Sequence, residues 1–407
     1  MNVLKELLSA IKKTRNTAQK RRYFLDFYSI IKRLEEEIAD RSYRPSQFSC
    51  FAVQDPKPRE IFAPHFRDRV IHHLLVDRIE PLIDKRFIHT SFANRKGKGI
   101  HQAIQGLQPI LRKKDSLYFL QIDVKNFFPS INKTILYEIF KHHMQTLSLS
   151  ETEKELSEFL AHRIIFHDPA NPKPIFTGNK SLLNKIPAHK SLFNANQLRG
   201  LPIGSLSSQF FANLYLNELD QYAKHVLKIK HYFRYVDDII IIAENTIILS
   251  GYKSAIDDFL KEKLELSLHP NKTILQPTNN GINFLGYVIK KNCKLVRKRT
   301  VRSFKKRLYF FNHLLNPKDY PISNAPQMMN LAKKYREENW IPPIIPDLFI
   351  LSSMRATINS YYGIFSFADS YRLRRNLYEN HFCGLKKYFQ PKDKTCSVMM
   401  IKKGVYL

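Results

Sequence analysis

Two adjacent carboxylates, Asp237 and Asp238, follow a short aromatic run and precede an uncharged β-branched one. His231-Tyr232-Phe233-Arg234 alternates like a strand, and Ile239-Ile240-Ile241-Ile242 reads as a second. Tyr235-Val236-Asp237-Asp238 between them then reads as a tight hairpin turn. Ionised carboxylates are costly to bury without partners, so this pair suits a core badly. Held on a rigid turn, it suits divalent cations, which take hard oxygen ligands. Turn preference alone also places acidic residues at hairpin tips, so the pair by itself decides nothing. A third carboxylate, Asp123, ends the compact apolar strand at Leu117 to Ile122. Three such groups could form a site in which two cations about 3.5–4 Å apart activate a nucleophile and stabilise a leaving oxygen.

The chain around these residues has 407 positions, enough for a large core and more than one structural unit. Its 66 Lys and Arg against 36 Asp and Glu give a formal net charge of +30. That excess is the footprint of a polyanion-binding protein, with nucleic acid ahead of an anionic membrane. No apolar stretch approaches the roughly 20 residues that span a bilayer. The N-terminal Leu4, Leu7, Leu8 and Ile11 form an amphipathic pattern without a signal-peptide core. A cytoplasmic protein with no membrane partner is expected. Cys50, Cys293, Cys383 and Cys396 have no paired metal-ligand spacing, and the 15 His form no zinc pattern.

The elements that must position the carboxylates follow from periodicity. Residues 1–44 read as a helical N-terminal extension, and 45–115 as short strands around an Asp55-Pro56-Lys57-Pro58 turn followed by a helix from Arg69 to Ile83. An α+β core spans 116–289, with helices expected at 206–228 and 252–265 and an irregular surface insertion at about 168–199. Leu201-Pro202-Ile203-Gly204-Ser205 is a glycine-containing turn leading into a helix. From Lys290 to Arg307 there are ten basic residues and no acidic one. Val301, Phe304, Leu308 and Phe311 share one helical face there, which leaves Arg302, Lys305 and Lys306 on the surface for phosphate contact.

Taken in order, these segments resemble a reverse transcriptase over most of the chain. Pro56 to Ile61 with Arg67-Asp68-Arg69 resembles fingers motifs, and Ser91 to Gly99 the following block. Asp123 to Phe128 and Tyr235 to Asp238 resemble the two palm motifs, and Phe284-Leu285-Gly286-Tyr287 the primer grip. The resemblance is closest to prokaryotic enzymes of the diversity-generating retroelement type and to related defence-associated reverse transcriptases. It departs from most relatives at Ile203-Gly204 and Ser208-Gln209, where they carry Gln-Gly and Ser-Pro.

The resemblance implies an α+β right-hand polymerase: fingers, a palm with an antiparallel sheet and the Tyr-Val-Asp-Asp hairpin, and a basic helical thumb with the C-terminal region at 290–407. It implies Asp123, Asp237 and Asp238 as ligands of two Mg²⁺, with Mn²⁺ as a substitute, and Lys272 as the group that protonates departing pyrophosphate. Lys57, Arg59, Phe128, Ile203, Gly204 and Gln209 would line the dNTP site, Phe128 excluding a 2′-hydroxyl and Gly204 admitting the nascent pair. Arg297, Lys298, Arg299, Arg302, Lys305 and Lys306 would hold nucleic acid. An apolar Ile203 in place of Gln predicts error-prone copying. The expected partners are a structured template RNA, an RNA–DNA duplex, dNTPs and a small accessory protein or non-coding RNA. A catalytically silent RNA-binding scaffold and a template-independent or protein-primed polymerase are the alternatives.

Overall fold

The computed structural model describes residues 3–14, 27–53, 57–113, 116–322 and 340–405. Residues 15–26, the expected turn at Asp55-Pro56 and residues 323–339 lie outside them. The fold is α+β, helices with largely antiparallel sheets. It divides into two compact units, Met1–Ala103 with Leu117–Gln276, and Ile104–Ser116 with Pro277–Leu407.

The first unit contains β1 (Ser49–Val53), β2 (Arg59–Ala63), β3 (Tyr118–Asp123), β4 (Ile175–Phe176), β5 (His231–Tyr235) and β6 (Asp238–Ala243), and β7 (Ile274–Pro277) runs to its boundary. A four-stranded sheet has the order β5-β6-β3-β7, with β6 antiparallel to both its neighbours. Ile239 to Ile242 are at most 2% exposed, so β6 is covered on both faces and shows no polar alternation. The helices Phe66–Ile83, Leu206–Gln221 and Thr246–Leu264 contribute Leu74, Phe211 and Leu260 to the apolar cluster that includes Ile239 and Ile241. The last of these helices starts at Thr246 rather than 252. Asn245 caps it by accepting a hydrogen bond from the Ile248 N–H at 2.9 Å, which overrides the poor helix propensity of the β-branched residues that follow.

The 168–199 insertion is more ordered than its composition suggests. β4 pairs in parallel with Ser49 and Cys50 of β1. Glu60 of β2, nearly buried, accepts hydrogen bonds from the Ser191 hydroxyl at 2.8 Å and from the Leu192 N–H. Burial raises the proton affinity of Glu60, and those two donors oppose the rise. Phe48, Cys50, Phe62 and Leu192 close a small apolar cluster between insertion and hairpin.

The second unit holds β8 (Ile282–Phe284), β9 (Tyr287–Ile289), β10 (Lys294–Val296), β11 (Phe389–Pro391) and β12 (Met399–Ile401). Phe304, Leu308 and Phe311 of the helix Lys298–Leu315 are buried with Leu351, Met354 and Leu377 from two further helices, while Val301 packs at the edge. The unit therefore begins before residue 290, because β9 and β10 are tied into it. The Tyr287 hydroxyl donates to the Ile364 carbonyl at 3.0 Å, and the Lys294 N–H to Asp369 at 2.7 Å. All four cysteines are unpaired, and no described helix is long and apolar enough to cross a membrane.

Candidate active site

Sheet register brings the three carboxylates to one end of the first unit's sheet. Asp123 of β3 stands directly opposite Asp238 of β6, and Tyr235 of β5 stands opposite Asp238 on the other side. The β5–β6 connection is therefore only Val236-Asp237. Val236 has φ 55°, the left-handed region that two-residue hairpins require at their first central position. For a β-branched residue that conformation costs about 1–3 kcal/mol, so surrounding structure must hold it.

What holds it is a buried polar network that the sequence motifs do not announce. Arg234, fully buried in β5, donates to both carboxylate oxygens of the equally buried Asp220, at 2.7 and 2.6 Å. The same guanidinium donates to the Val236 carbonyl at 3.1 Å and to Asn213 at 3.3 Å. The Tyr232 hydroxyl also donates to Asp220, at 2.9 Å. Burial alone would loosen the Arg234 proton, but Asp220 overrides it and holds the guanidinium charged. Ser91 to Ala93 brace the other edge of β5. The Arg234 N–H donates to the Thr90 carbonyl, the Phe92 N–H to the Arg234 carbonyl, and Asn213 to the Ala93 carbonyl. The block from Ser91 thus steadies the acidic turn. An arginine inside an aromatic strand was the one sequence signal of this network, since Asn213 and Asp220 sit among several other polar residues of the helix Leu206–Gln221.

Lys272 reaches the same end of the sheet. The segment from Ser267 runs beside β3, with the Lys125 N–H donating to the Ser267 carbonyl and the His269 N–H to the Asp123 carbonyl. The turn Pro270–Lys272 then places the Lys272 ammonium 2.6 Å from Asp123 Oδ1. Burial first, then the charges of Asp123 and Asp238, push Asp237 up to about 6, against its own backbone and Lys272. Among the described residues, no three acidic, histidine or cysteine side chains stand close enough to hold an ion as they are placed. The donors nonetheless fit a divalent cation. They are hard oxygens, and the crowding that raises Asp237 is what a cation would relieve.

Three other segments meet near these carboxylates in sequence and backbone contact. Phe128 lies in the short helix Phe127–Ser130 just after β3, half-buried, its ring 5.4 Å from buried Phe127. Its carbonyl accepts from the Leu201 N–H at 2.9 Å, and the Ile203 carbonyl accepts from the Phe62 N–H of β2 at 2.8 Å. Arg59 and Ile61 alternate with Glu60 and Phe62 along β2, so Arg59 shares the face of Ile61. Gly204 has φ 129°, and a Cβ there would lie 2.7 Å from the Phe62 carbonyl oxygen and 2.8 Å from Ile61. Approach to β2 is thus a sufficient reason for glycine at this position. Lys57, Arg59 and Gln209 are exposed.

The remaining predicted residues lie in the second unit. Phe284 to Tyr287 form a two-residue hairpin with φ 49° at Leu285 and 94° at Gly286, the paired positive angles of a type I′ turn. Arg297, half-buried, donates to the Asn283 carbonyl of this hairpin at 2.8 Å. Lys298, Arg299, Arg302 and Lys306 are exposed and Lys305 is half-buried.

A family model described as "Reverse transcriptase (RNA-dependent DNA polymerase)" matches residues 54–289, which contain Asp123, Asp237 and Asp238. The Escherichia coli (strain K12) "Protein YkfC" is 22% identical over 304 residues, 66% of this chain and 71% of that protein. A solved telomerase from Candida albicans, in complex with a TWJ fragment of telomeric RNA, is similar at TM-score 0.43 and 12% identity, covering 83% of this chain and 58% of that one. Apo telomerase from Candida tropicalis is similar at TM-score 0.44 and 15% identity, covering 79% and 60%. The chain thus spans less than two thirds of either telomerase chain.

Proposed function

Since the chain belongs to the reverse transcriptase (RNA-dependent DNA polymerase) family, we propose that it copies a dedicated structured RNA into DNA. The observation that carries this reading is the register of Asp123 against Asp238, with Asp237 on the adjoining two-residue turn. Asp123, Asp237 and Asp238 would hold two Mg²⁺, which when bound activate the primer 3′-hydroxyl and neutralise charge on the transferred phosphoryl group. Exposed Arg59, and Lys57 before it, would bind the incoming triphosphate, Arg through paired N–H contacts to phosphate oxygens. Lys272, beside Asp123, would protonate the departing pyrophosphate. The basic helix Lys298–Leu315 would grip the phosphate backbone of an RNA–DNA duplex. A sequence-diversifying retroelement or an antiphage system is the proposed setting, with an RNA or a small protein encoded nearby as the accessory partner. Primer extension on an RNA template with dNTPs tests the activity, and sequencing copurified nucleic acid identifies the template. A protein that binds RNA but extends no primer under any of these conditions would be the silent scaffold.

Two further outcomes follow from this reading. Phe128→Ala should open space for a ribose 2′-hydroxyl and raise the rNTP-to-dNTP ratio of kcat/KM by about tenfold. An unchanged ratio would leave Phe128 a packing residue beside Phe127. Replacing Arg302, Lys305 and Lys306 by alanine should weaken duplex binding regardless of sequence. The salt dependence should flatten by roughly one unit of slope per lost phosphate contact. An unaltered slope would make this stretch an ordinary solvated face.

A further inference from the structure

We propose that Lys272 is a counter-ion that clamps Asp123 in the metal-free enzyme and must release it before the site can take its cations. The inference rests on the two-cation reading above and adds a control on loading. Its basis is geometric. Lys272 Nζ lies 2.6 Å from Asp123 Oδ1, and it is the carboxylate's side-chain partner among the described residues.

The lysine's backbone is tied down while its head is open to solvent. His269 N–H donates to the Asp123 carbonyl at 2.8 Å, Lys125 N–H to the Ser267 carbonyl at 2.9 Å, and Leu268 N–H to Asp257 at 3.1 Å. The turn Pro270–Lys272 is capped by His269, whose ring nitrogen accepts from the Asn271 N–H. The Lys272 side chain is 44% exposed, against 17% for Asp123. A rigid base with an accessible ammonium can give up one anion and swing to another without moving the strand beneath.

The electrostatics require such a device. Asp123 and Asp238 face each other across β3 and β6, and Asp237 is next to both, so three negative charges crowd one sheet end. Lys272 offsets one of them. With this ion pair made, no three acidic, histidine or cysteine side chains among the described residues stand close enough to hold an ion. An ammonium and a divalent cation that compete for one carboxylate repel each other, so metal entry and lysine release are a single exchange.

The test is Mn²⁺ binding to the free protein, followed by electron paramagnetic resonance without nucleotide or primer. Lys272→Met should bind Mn²⁺ about three- to tenfold more tightly than wild type, the size expected of a partly exposed ion pair. Lys272→Arg, which retains the clamp, should show no gain. Circular dichroism melts check that both variants fold. If Lys272→Met binds Mn²⁺ no more tightly than wild type while Asp123→Asn and Asp237→Asn abolish binding, the clamp is overturned and the cation site stands. If neither aspartate variant alters Mn²⁺ binding, the cation site itself is wrong and the clamp falls with it.

Discussion

Primer extension by the Asp237→Ala/Asp238→Ala double variant is expected to fall by at least ~10³-fold, about 4 kcal/mol of barrier. The two residues occupy the end of a hairpin whose backbone is fixed elsewhere, so their loss removes oxygen ligands without removing the strands. Val236 remains held by Arg234 through its carbonyl, and β6 remains paired along β3. Binding to RNA should change little, because the exposed basic residues from Lys298 to Lys306 belong to the other compact unit. The measurement is extension of a primed RNA template alongside filter binding to the same duplex. Wild-type extension by the double variant would place the chemistry elsewhere in the chain. Loss of binding together with extension would show that the hairpin supports the fold rather than the reaction.

Asp220→Ala should cost about 3–5 kcal/mol of stability, because it leaves the Arg234 guanidinium buried without its countercharge. Arg234 and Asp220 are both fully buried, so water cannot replace the lost partner. Replacing both residues by apolar ones, Asp220→Leu with Arg234→Met, should recover much of that loss. It should not recover turnover. Val236 would still lack the donor that holds its carbonyl, and the acidic turn would sample other conformations. Urea denaturation and primer extension on the same three proteins separate the effects. A double variant restored in both would reduce the network to packing, and a stable Asp220→Ala would refute the burial argument.

The sequence revealed the carboxylates because their signal is local. A strand, a two-residue turn and four isoleucines lie within thirteen positions, and the pattern shows the hairpin and the end of it at which Asp237 and Asp238 sit. Asp123 was legible for the same reason, at the end of a compact apolar strand. The brace was not, since Arg234, Asp220, Asn213 and the Ala93 carbonyl are joined only by tertiary packing. The close approach of Gly204 to β2 was hidden too, since the atoms that crowd its missing side chain lie more than 140 positions earlier. The insertion shows no periodicity in sequence because its order is borrowed from Glu60 and the edge of β1. The bond from Arg297 to the Asn283 carbonyl was equally hidden, because charge and spacing do not show which backbone group an arginine meets.

The docking of β4 on β1 bears also on how this protein behaves in a crowded solution. An isolated two-stranded hairpin shows a row of unused backbone donors and acceptors along each side, a template on which strands from other molecules can add. Here β4 covers β1 at Ser49 and Cys50, and the Ile203 carbonyl takes the Phe62 donor of β2. The hairpin that carries Arg59 is thus covered by its own chain at the Ser49–Cys50 end of one flank and at Phe62 on the other. That arrangement guards against self-association, a protection that a shortened insertion would forfeit even with every catalytic side chain in place.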